Sequence, residues 1–353
     1  MTWLQEEYGF MRRCFELASL GMGHVAPNPM VGCVIVKNGE IIAEGYHKNY
    51  GGHHAEINAL LNFNKLNANI KHDAVMYVSL EPCNHYGKTP PCTDTIIESG
   101  ISKVVVSNLD PNPLVSGSGL TKLKSAGLNV KYGILREEGA FLNRRFLVYH
   151  LKKRPYIILK WAASADGYMA PLPKNRSHEK QPFWISSESS RKLVQKWRSE
   201  EQAILVGKNT VQEDNPRLTS RHPGGKNPIR IIIDPNLSLG SEFRVFQEEG
   251  RVMLLNNRQD SKVDQIEYLR FNKNDLNDLL HVLYKNGVQS LIVEGGKVTL
   301  DRFIESGLWD ESRVFTASHA LKSGLKAPSI KAKPLITEKI ETDDLEIFYN
   351  KNW

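Results

Sequence analysis

The sequence predicts an α/β protein of two domains, each a sheet flanked by helices. Three observations carry this. Short β-rich runs alternate with amphipathic segments through both halves of the chain. The length of 353 residues suits two domains of roughly 100–200 residues each. A basic stretch at residues 144–154 breaks the alternation near the middle, and Pro155 opens a new β-rich run. The domains are therefore read as 1–148 and 149–353. Hydrophobic residues at 41% and charged residues at 24% give each half enough apolar surface for its own core.

In the first half, residues 6–20 carry the apolar spacing of an amphipathic helix. Runs 31–36 and 41–46 are rich in Val and Ile and flank Lys37-Asn38-Gly39-Glu40, where Asn-Gly signals a tight hairpin. Helix follows over 54–66, strand over 74–79, a short helix over 92–98 stopped by Gly100, and strand over 103–107. A helix at 119–126 and a strand at 129–134 complete a mixed sheet with flanking helices. The second half places strands at 156–162, 203–206, 229–233, 252–255 and 290–293. Its helices fall at 188–198, 276–286 and 297–306, and residues 171–182, full of Lys, Arg and Pro, read as a loop insertion.

The first residues carry acids where a signal peptide carries Lys or Arg, and no apolar run approaches the roughly 18–20 residues of a membrane helix. A cytoplasmic protein with no membrane contact is expected. The net charge of +7 suits a basic solvated surface, nucleic acid or phosphorylated metabolites. No Lys/Arg block is long enough for a nucleic-acid arm, so no nucleic-acid partner is expected. A homo-oligomer is left open.

Four cysteines in a chain this long make no disulfide framework. Cys14 and Cys33 sit in apolar runs and read as small buried hydrophobes. Cys83 and Cys92 differ. Together with His54-Ala55-Glu56 they supply one imidazole and two thiolates, the donors zinc prefers. Three protein ligands leave the fourth tetrahedral place to water, the pattern of a catalytic rather than a structural site. Helix starts at both pieces favour thiolate. Glu56, two residues from His54, can hold a proton in the same cavity without ligating the metal. Zinc lowers a water's pKa to roughly 7, and base deamination uses such a water with a glutamate as proton shuttle. The alternative is a structural site closed by a fourth ligand, with His47, His53 or His85 close in sequence.

At these residues the chain resembles the cytidine-deaminase-like zinc superfamily, except that eight residues separate its cysteines. Glu81-Pro82-Cys83-Asn84-His85-Tyr86-Gly87-Lys88-Thr89-Pro90-Pro91-Cys92, Pro27-Asn28-Pro29-Met30-Val31-Gly32 and Asp110-Pro111-Asn112-Pro113 are similar to the bifunctional riboflavin-biosynthesis deaminase/reductases. So are Ser164-Ala165-Asp166-Gly167, Trp184-Ile185, Asp214-Asn215-Pro216 with Leu218-Thr219, and Val293-Glu294-Gly295-Gly296 in the second half.

The resemblance implies zinc-dependent deamination of a phosphorylated diaminopyrimidine by a cytidine-deaminase-like first domain. It implies NADPH-dependent reduction of the ribosyl group by a dihydrofolate-reductase-like α/β second domain. It places Asn28, Arg198, Leu218, Arg221 and Glu294 around substrate. It places Ala162, Trp184, Thr210, Asp214 and Gly296 near NADPH, and Lys160, Asp214 and Glu294 at the reduction step.

The residues themselves are compatible with those roles. Asn28 carries an amide that can read a pyrimidine edge, or else forms a turn between two prolines. Arg198 and Arg221 suit a ribose phosphate. Lys160, in an otherwise apolar strand, needs a partner, and Asp214 and Glu294 are candidates. Either Lys160 or an acid can supply the proton of the reduction. No Gly-x-Gly-x-x-Gly follows a strand, which argues against a Rossmann site; Gly295-Gly296 between strand and helix offers a phosphate corner instead.

Two other readings compete. A nucleic-acid deaminase fits the basic charge but not the cysteine spacing or the long second half. A deaminase with a purely structural second half predicts no NADPH binding.

Overall fold

The computed structural model of the chain describes residues 3–66, 73–86, 90–112, 116–172 and 181–350. It contains two compact units, Met1–Lys152 and Lys153–Trp353.

In the first unit α1 (Gln5–Ser19) precedes the hairpin β1 (Gly32–Lys37) and β2 (Glu40–Tyr46). Asn38 (φ 52°) and Gly39 (φ 80°) are both left-handed, the conformation a two-residue type I′ turn requires. Then come α2 (Ala55–Phe63), β3 (Val75–Leu80), α3 (Cys92–Glu98), β4 (Lys103–Asn108), α4 (Ser118–Ser125) and β5 (Asn129–Tyr132). The sheet order is β2-β1-β3-β4-β5. The β1 strand is antiparallel to β2 and β3, while β3, β4 and β5 are parallel.

Alternation along these strands splits the core in two. Val34, Val36, Tyr77 and Val105 pack under Met11, Cys14 and Leu17 of α1. Cys33, Ile35, Met76, Val78, Val104 and Val106 face Ala59 and Phe63 of α2, Ile96 of α3 and Leu123 of α4. Cys14 and Cys33 are fully buried there, as their apolar context suggests.

The basic stretch at 144–154 proves to be mostly helix rather than a plain break. The helices α5 (Arg136–Leu142) and α6 (Arg144–Lys152) close the first unit. Phe146 and Val148 of α6 are buried, and the intervening charges hid that pattern. Asn143, between the two helices, is buried and binds both backbone groups of Met30, donating to its oxygen at 2.9 Å and accepting from its nitrogen at 2.9 Å.

The second unit runs β6 (Tyr156–Ala163), β7 (Tyr168–Ala170), α7 (Glu188–Glu200), β8 (Ala203–Gly207), α8 (Lys208–Asp214), β9 (Ile229–Ile233) and α9 (Arg244–Gln247). It continues with β10 (Val252–Asn256), β11 (Ser261–Val263), β12 (Ile266–Arg270), α10 (Leu276–Lys285), β13 (Ser290–Val293), α11 (Lys297–Ser306), β14 (Glu311–Thr316), β15 (Leu325–Lys326), β16 (Ile336–Ile340) and β17 (Asp343–Tyr349).

Among the described residues the main sheet has the order β11-β12-β10-β9-β8-β13-β6-β14-β17-β16. It is parallel from β12 to β14, with antiparallel strands at both edges. Apolar side chains fill both faces, as buried parallel strands require.

Strands β7, β11, β12 and β14–β17 were not legible from periodicity. Their sequences are short or polar. Strand β14 buries Glu311 and Arg313 as an ion pair with Nε–Oε1 at 2.6 Å, and charge at a core position mimics a loop. Residues 173–180 of the expected loop insertion lie outside the described residues.

Candidate active sites

In the first unit the zinc-type donors converge. His54 is the N-cap of α2 and Glu56 lies in its first turn. Gly45 of β2 allows this close seating, because a Cβ there would overlap the α2 backbone at Ala55 and Ala59. Cys92 is the first residue of α3, and Cys83 lies in the segment after β3. The His54 Nδ1 lies 3.5 Å from the Cys83 sulfur and 3.3 Å from the Cys92 sulfur. All three ligand atoms lie within 4.8 Å of one another. A tetrahedral zinc, with metal–sulfur near 2.3 Å and metal–nitrogen near 2.0 Å, separates nitrogen from sulfur by about 3.5 Å. The trio fits that ion.

The Cys92 N–H donates to the Cys83 sulfur at 3.3 Å. Hydrogen bonds from Cys92 and His54 hold the Cys83 thiol down at about 4 against the cost of burial, so it is a thiolate at neutral pH. Burial raises the Glu56 carboxyl to about 7. A carboxyl poised near neutrality, at 3% exposure, suits proton transfer.

The fourth-ligand alternative fails among the described residues, where the candidate metal group holds only His54, Cys83 and Cys92. The His53 and His85 side chains are exposed. The His47 Nδ1 sits 2.9 Å from the His53 carbonyl oxygen, which can only accept, so that nitrogen carries the proton. Burial lowers the His47 pKa, keeping the ring neutral with Nε2 as an acceptor. Asn28 Nδ2 then donates to that Nε2 at 3.0 Å. The bond fixes which way the Asn28 amide points, and its oxygen and second N–H remain for a ligand.

In the second unit one cavity of about 920 Å³ is lined by Lys160, Ala162, Trp184, Arg198, Thr210, Asp214, Leu218, Arg221, Glu294 and Gly296, together with further residues. All ten second-half candidates thus meet in one place, although they span more than 130 positions. The cavity opens at the carboxyl ends of β6, β8, β9 and β13, where open parallel sheets bind ligands.

Leu159 of β6 is paired with Val293 of β13, so Lys160 and Glu294 emerge side by side. Arg198 grips Glu294 with Nε–Oε1 at 2.9 Å and Nη2–Oε2 at 2.7 Å, and Lys160 Nζ approaches Oε2 at 3.4 Å. Burial alone would raise the Glu294 pKa. The charges and hydrogen bonds of Arg198 and Lys160 outweigh it and hold Glu294 at about 2. Burial lowers the Lys160 pKa against the opposing pull of Glu294.

Arg198 spends its fork on Glu294, whereas Arg221 is exposed at the cavity wall and its guanidinium makes no hydrogen bond or ion pair among the described residues. The Asp214 segment is bent by Asn215 (φ 40°) and Leu218 (φ 57°), both left-handed without being glycine. Such backbone is held only where the surroundings demand it. A Cβ on Gly295 would overlap Val206, and Gly296 (φ 69°) begins α11 as its N-cap. Both glycines are needed to bring the α11 amides to the cavity.

Residues 4–108 match the family described as the cytidine and deoxycytidylate deaminase zinc-binding region. Residues 155–333 match the RibD C-terminal domain. The riboflavin biosynthesis protein RibD of Aquifex aeolicus (strain VF5) is 39% identical over 357 residues, covering 97% of this chain and 98% of that one. The chain belongs to the RibD family. Escherichia coli (strain K12) RibD is 38% identical, with 91% and 89% covered. A crystal structure of a diaminohydroxyphosphoribosylaminopyrimidine deaminase/5-amino-6-(5-phosphoribosylamino)uracil reductase from Thermotoga maritima matches with a TM-score of 0.86 at 36% identity, covering 98% and 99% of the two chains. This RibD-family chain is a bifunctional deaminase and reductase of riboflavin biosynthesis, with a zinc-binding deaminase domain and an NADPH-dependent reductase domain.

Sequence reasoning missed three supports of the RibD sites. The neutral His47 orients Asn28; it was weighed only as a metal ligand. Asn143 clamps Met30 from 113 positions away, and no local signal marks it. Glu81 is buried beside the cysteine corner, and only its place before Pro82-Cys83 hinted at a role.

Proposed function

We propose that the first unit deaminates 2,5-diamino-6-(5-phosphoribosylamino)pyrimidin-4(3H)-one. The second then reduces the ribosyl side chain to ribityl, giving 5-amino-6-(5-phosphoribitylamino)uracil. One observation carries this reading. A single chain holds both a three-donor metal corner beside a buried glutamate and a cavity with Lys160 and Glu294 at its wall.

His54, Cys83 and Cys92 would hold zinc, which supplies the Lewis acid that makes water a nucleophile at neutral pH. Glu56 takes a proton from the attacking water and delivers it to the ring nitrogen; it then takes the second proton, from the hydroxyl newly bonded to the ring carbon, and delivers it to the departing amino group, which leaves as ammonia. Asn28, oriented by His47, reads the pyrimidine edge. Water is consumed and one ammonia leaves.

In the second unit NADPH supplies the hydride. Glu294, held at about 2, stays a carboxylate at neutral pH and has no proton to give. Lys160, a partly buried ammonium with a lowered pKa, is the proton donor. Arg198 holds Glu294 in place, and Arg221 takes the substrate phosphate with Leu218 beside it. Gly296 and Thr210 would hold a cofactor phosphate, and Ala162, Trp184 and Asp214, which line the same cavity, would hold the rest of the cofactor. No helix of the described residues is long and apolar enough to cross a membrane. Four free cysteines fit a reducing compartment, and the cytosol is the proposed location.

Incubating the chain with the diaminopyrimidine nucleotide should release one equivalent of ammonia, after which added NADPH should be oxidised. NADPH oxidation without prior ammonia release would reverse the proposed order. Asp214→Asn should lower kcat/KM for reduction about tenfold or more, the scale of one charge-assisted hydrogen bond. Deamination should be unchanged. Equal loss of both activities would argue against separate sites.

A further inference from the structure

The eight-residue spacing between the cysteines poses a mechanical problem. In a Cys-x-x-Cys pair one helix start carries both sulfurs. Here only Cys92 rides on α3, and Cys83 belongs to no helix. Its carbonyl accepts the Thr93 N–H at 3.2 Å and its sulfur accepts the Cys92 N–H at 3.3 Å. Those bonds set its distance from α3 but do not anchor the segment that carries it.

The anchor lies two residues earlier. Glu81 is 4% exposed and directly follows β3. Its Oε1 accepts from Gly119 N at 3.0 Å and Leu120 N at 3.4 Å. Its Oε2 accepts from Gly117 N at 2.9 Å and Asp110 N at 3.2 Å. Three of those amides open α4 (Ser118–Ser125), whose N-terminal donors have no partners within the helix. A carboxylate answers them and the helix dipole together. Gly119 meets the other side of the corner: a Cβ there would overlap the Pro82 carbonyl oxygen. Asn84, one residue past Cys83, accepts from Thr93 Oγ1 at 3.3 Å and donates to the Ser118 carbonyl at 3.5 Å.

We infer that Glu81 is a positioning residue for the metal corner. Seated on the amides that open α4, it holds the Pro82–Cys83 peptide where the Cys83 sulfur meets His54 and Cys92. It does in this chain what a two-residue spacing does through one helix. Glutamine at this position would keep one acceptor oxygen and turn an NH2 group toward amide donors. The inference rests on the zinc reading of the site and adds a residue that touches neither metal nor substrate.

The test uses full-length Glu81→Gln and Gly119→Ala chains. Three readouts are compared: the rate at which a chelator strips zinc, deamination at limiting and at saturating zinc, and reduction as the fold control. Zinc should leave at least about tenfold faster from both variants, the low end of losses seen when groups supporting ligands are removed. Deamination should fall at limiting zinc and regain most of its kcat at saturating zinc, while reduction stays unchanged. Gly119→Ala leaves every acid in place, so it keeps the test alive should Glu81→Gln fail to fold. Zinc retention equal to the parent in both variants would overturn the inference. A parent that holds no zinc would instead overturn the zinc reading itself.

Discussion

Glu56→Ala is expected to keep its zinc and to lose deamination by about 10³-fold, within the 10²–10⁴ range of a positioned acid–base group. Glu56 shares the first turn of α2 with His54, but the atoms that converge for a metal are those of His54, Cys83 and Cys92. Removing the carboxylate therefore removes proton transfer and spares the ligands. The residue is 3% exposed, so bulk water cannot easily replace it. Metal analysis and ammonia release measured on one preparation decide the matter. A variant that lost its zinc would make Glu56 a ligand.

Glu294→Gln has the second largest expected effect, and it falls on stability as well as on reduction. Glu294 is the shared counter-charge of Arg198 and Lys160, with its side chain 8% exposed. Neutralising it leaves two partly buried cations without an acid, and breaking such a group costs about 3–5 kcal/mol. Reduction should fall at least about 10²-fold because Lys160 loses its orientation. Deamination should survive wherever the chain stays folded.

The pH dependence has a definite sign. The folded pKa of Glu294 is depressed from 4.5 to about 2. Its contribution is therefore present above about pH 4.5 and lost as pH falls toward 2. Urea unfolding across that window should show an acid-side loss in the parent that Glu294→Gln lacks. Matching pH profiles would show that Glu294 is not held low.

Most of the metal corner was legible in the sequence because its chemistry is local. His54, Glu56, Cys83 and Cys92 announce themselves by residue type, and all but Cys83 also by their place at helix starts. The hairpin was legible for the same reason, since Asn38-Gly39 suits one tight turn best. The second site was legible only through family resemblance. Lys160 alone looked out of place, and its partner Glu294, which Arg198 also grips, lies 134 positions away.

What stayed hidden depends on long-range pairing. Strand β14 buries Glu311, whose Oε2 accepts from the Tyr156 hydroxyl at 2.9 Å, and no window of sequence reveals that partner. The basic run over α6 concealed a helix because two buried apolar residues carry its packing. Glu81 went unread because its partners are backbone amides, three of them at the start of a helix more than 35 positions away.

X-ray absorption at the zinc edge, on the purified chain without substrate, reaches the deaminase chemistry most directly. The expected shell is two sulfurs, one nitrogen and one further light atom from solvent, with one zinc per chain. A shell of two sulfurs and two imidazole nitrogens would fill the corner reserved for water, and an absence of zinc would remove the nucleophile altogether.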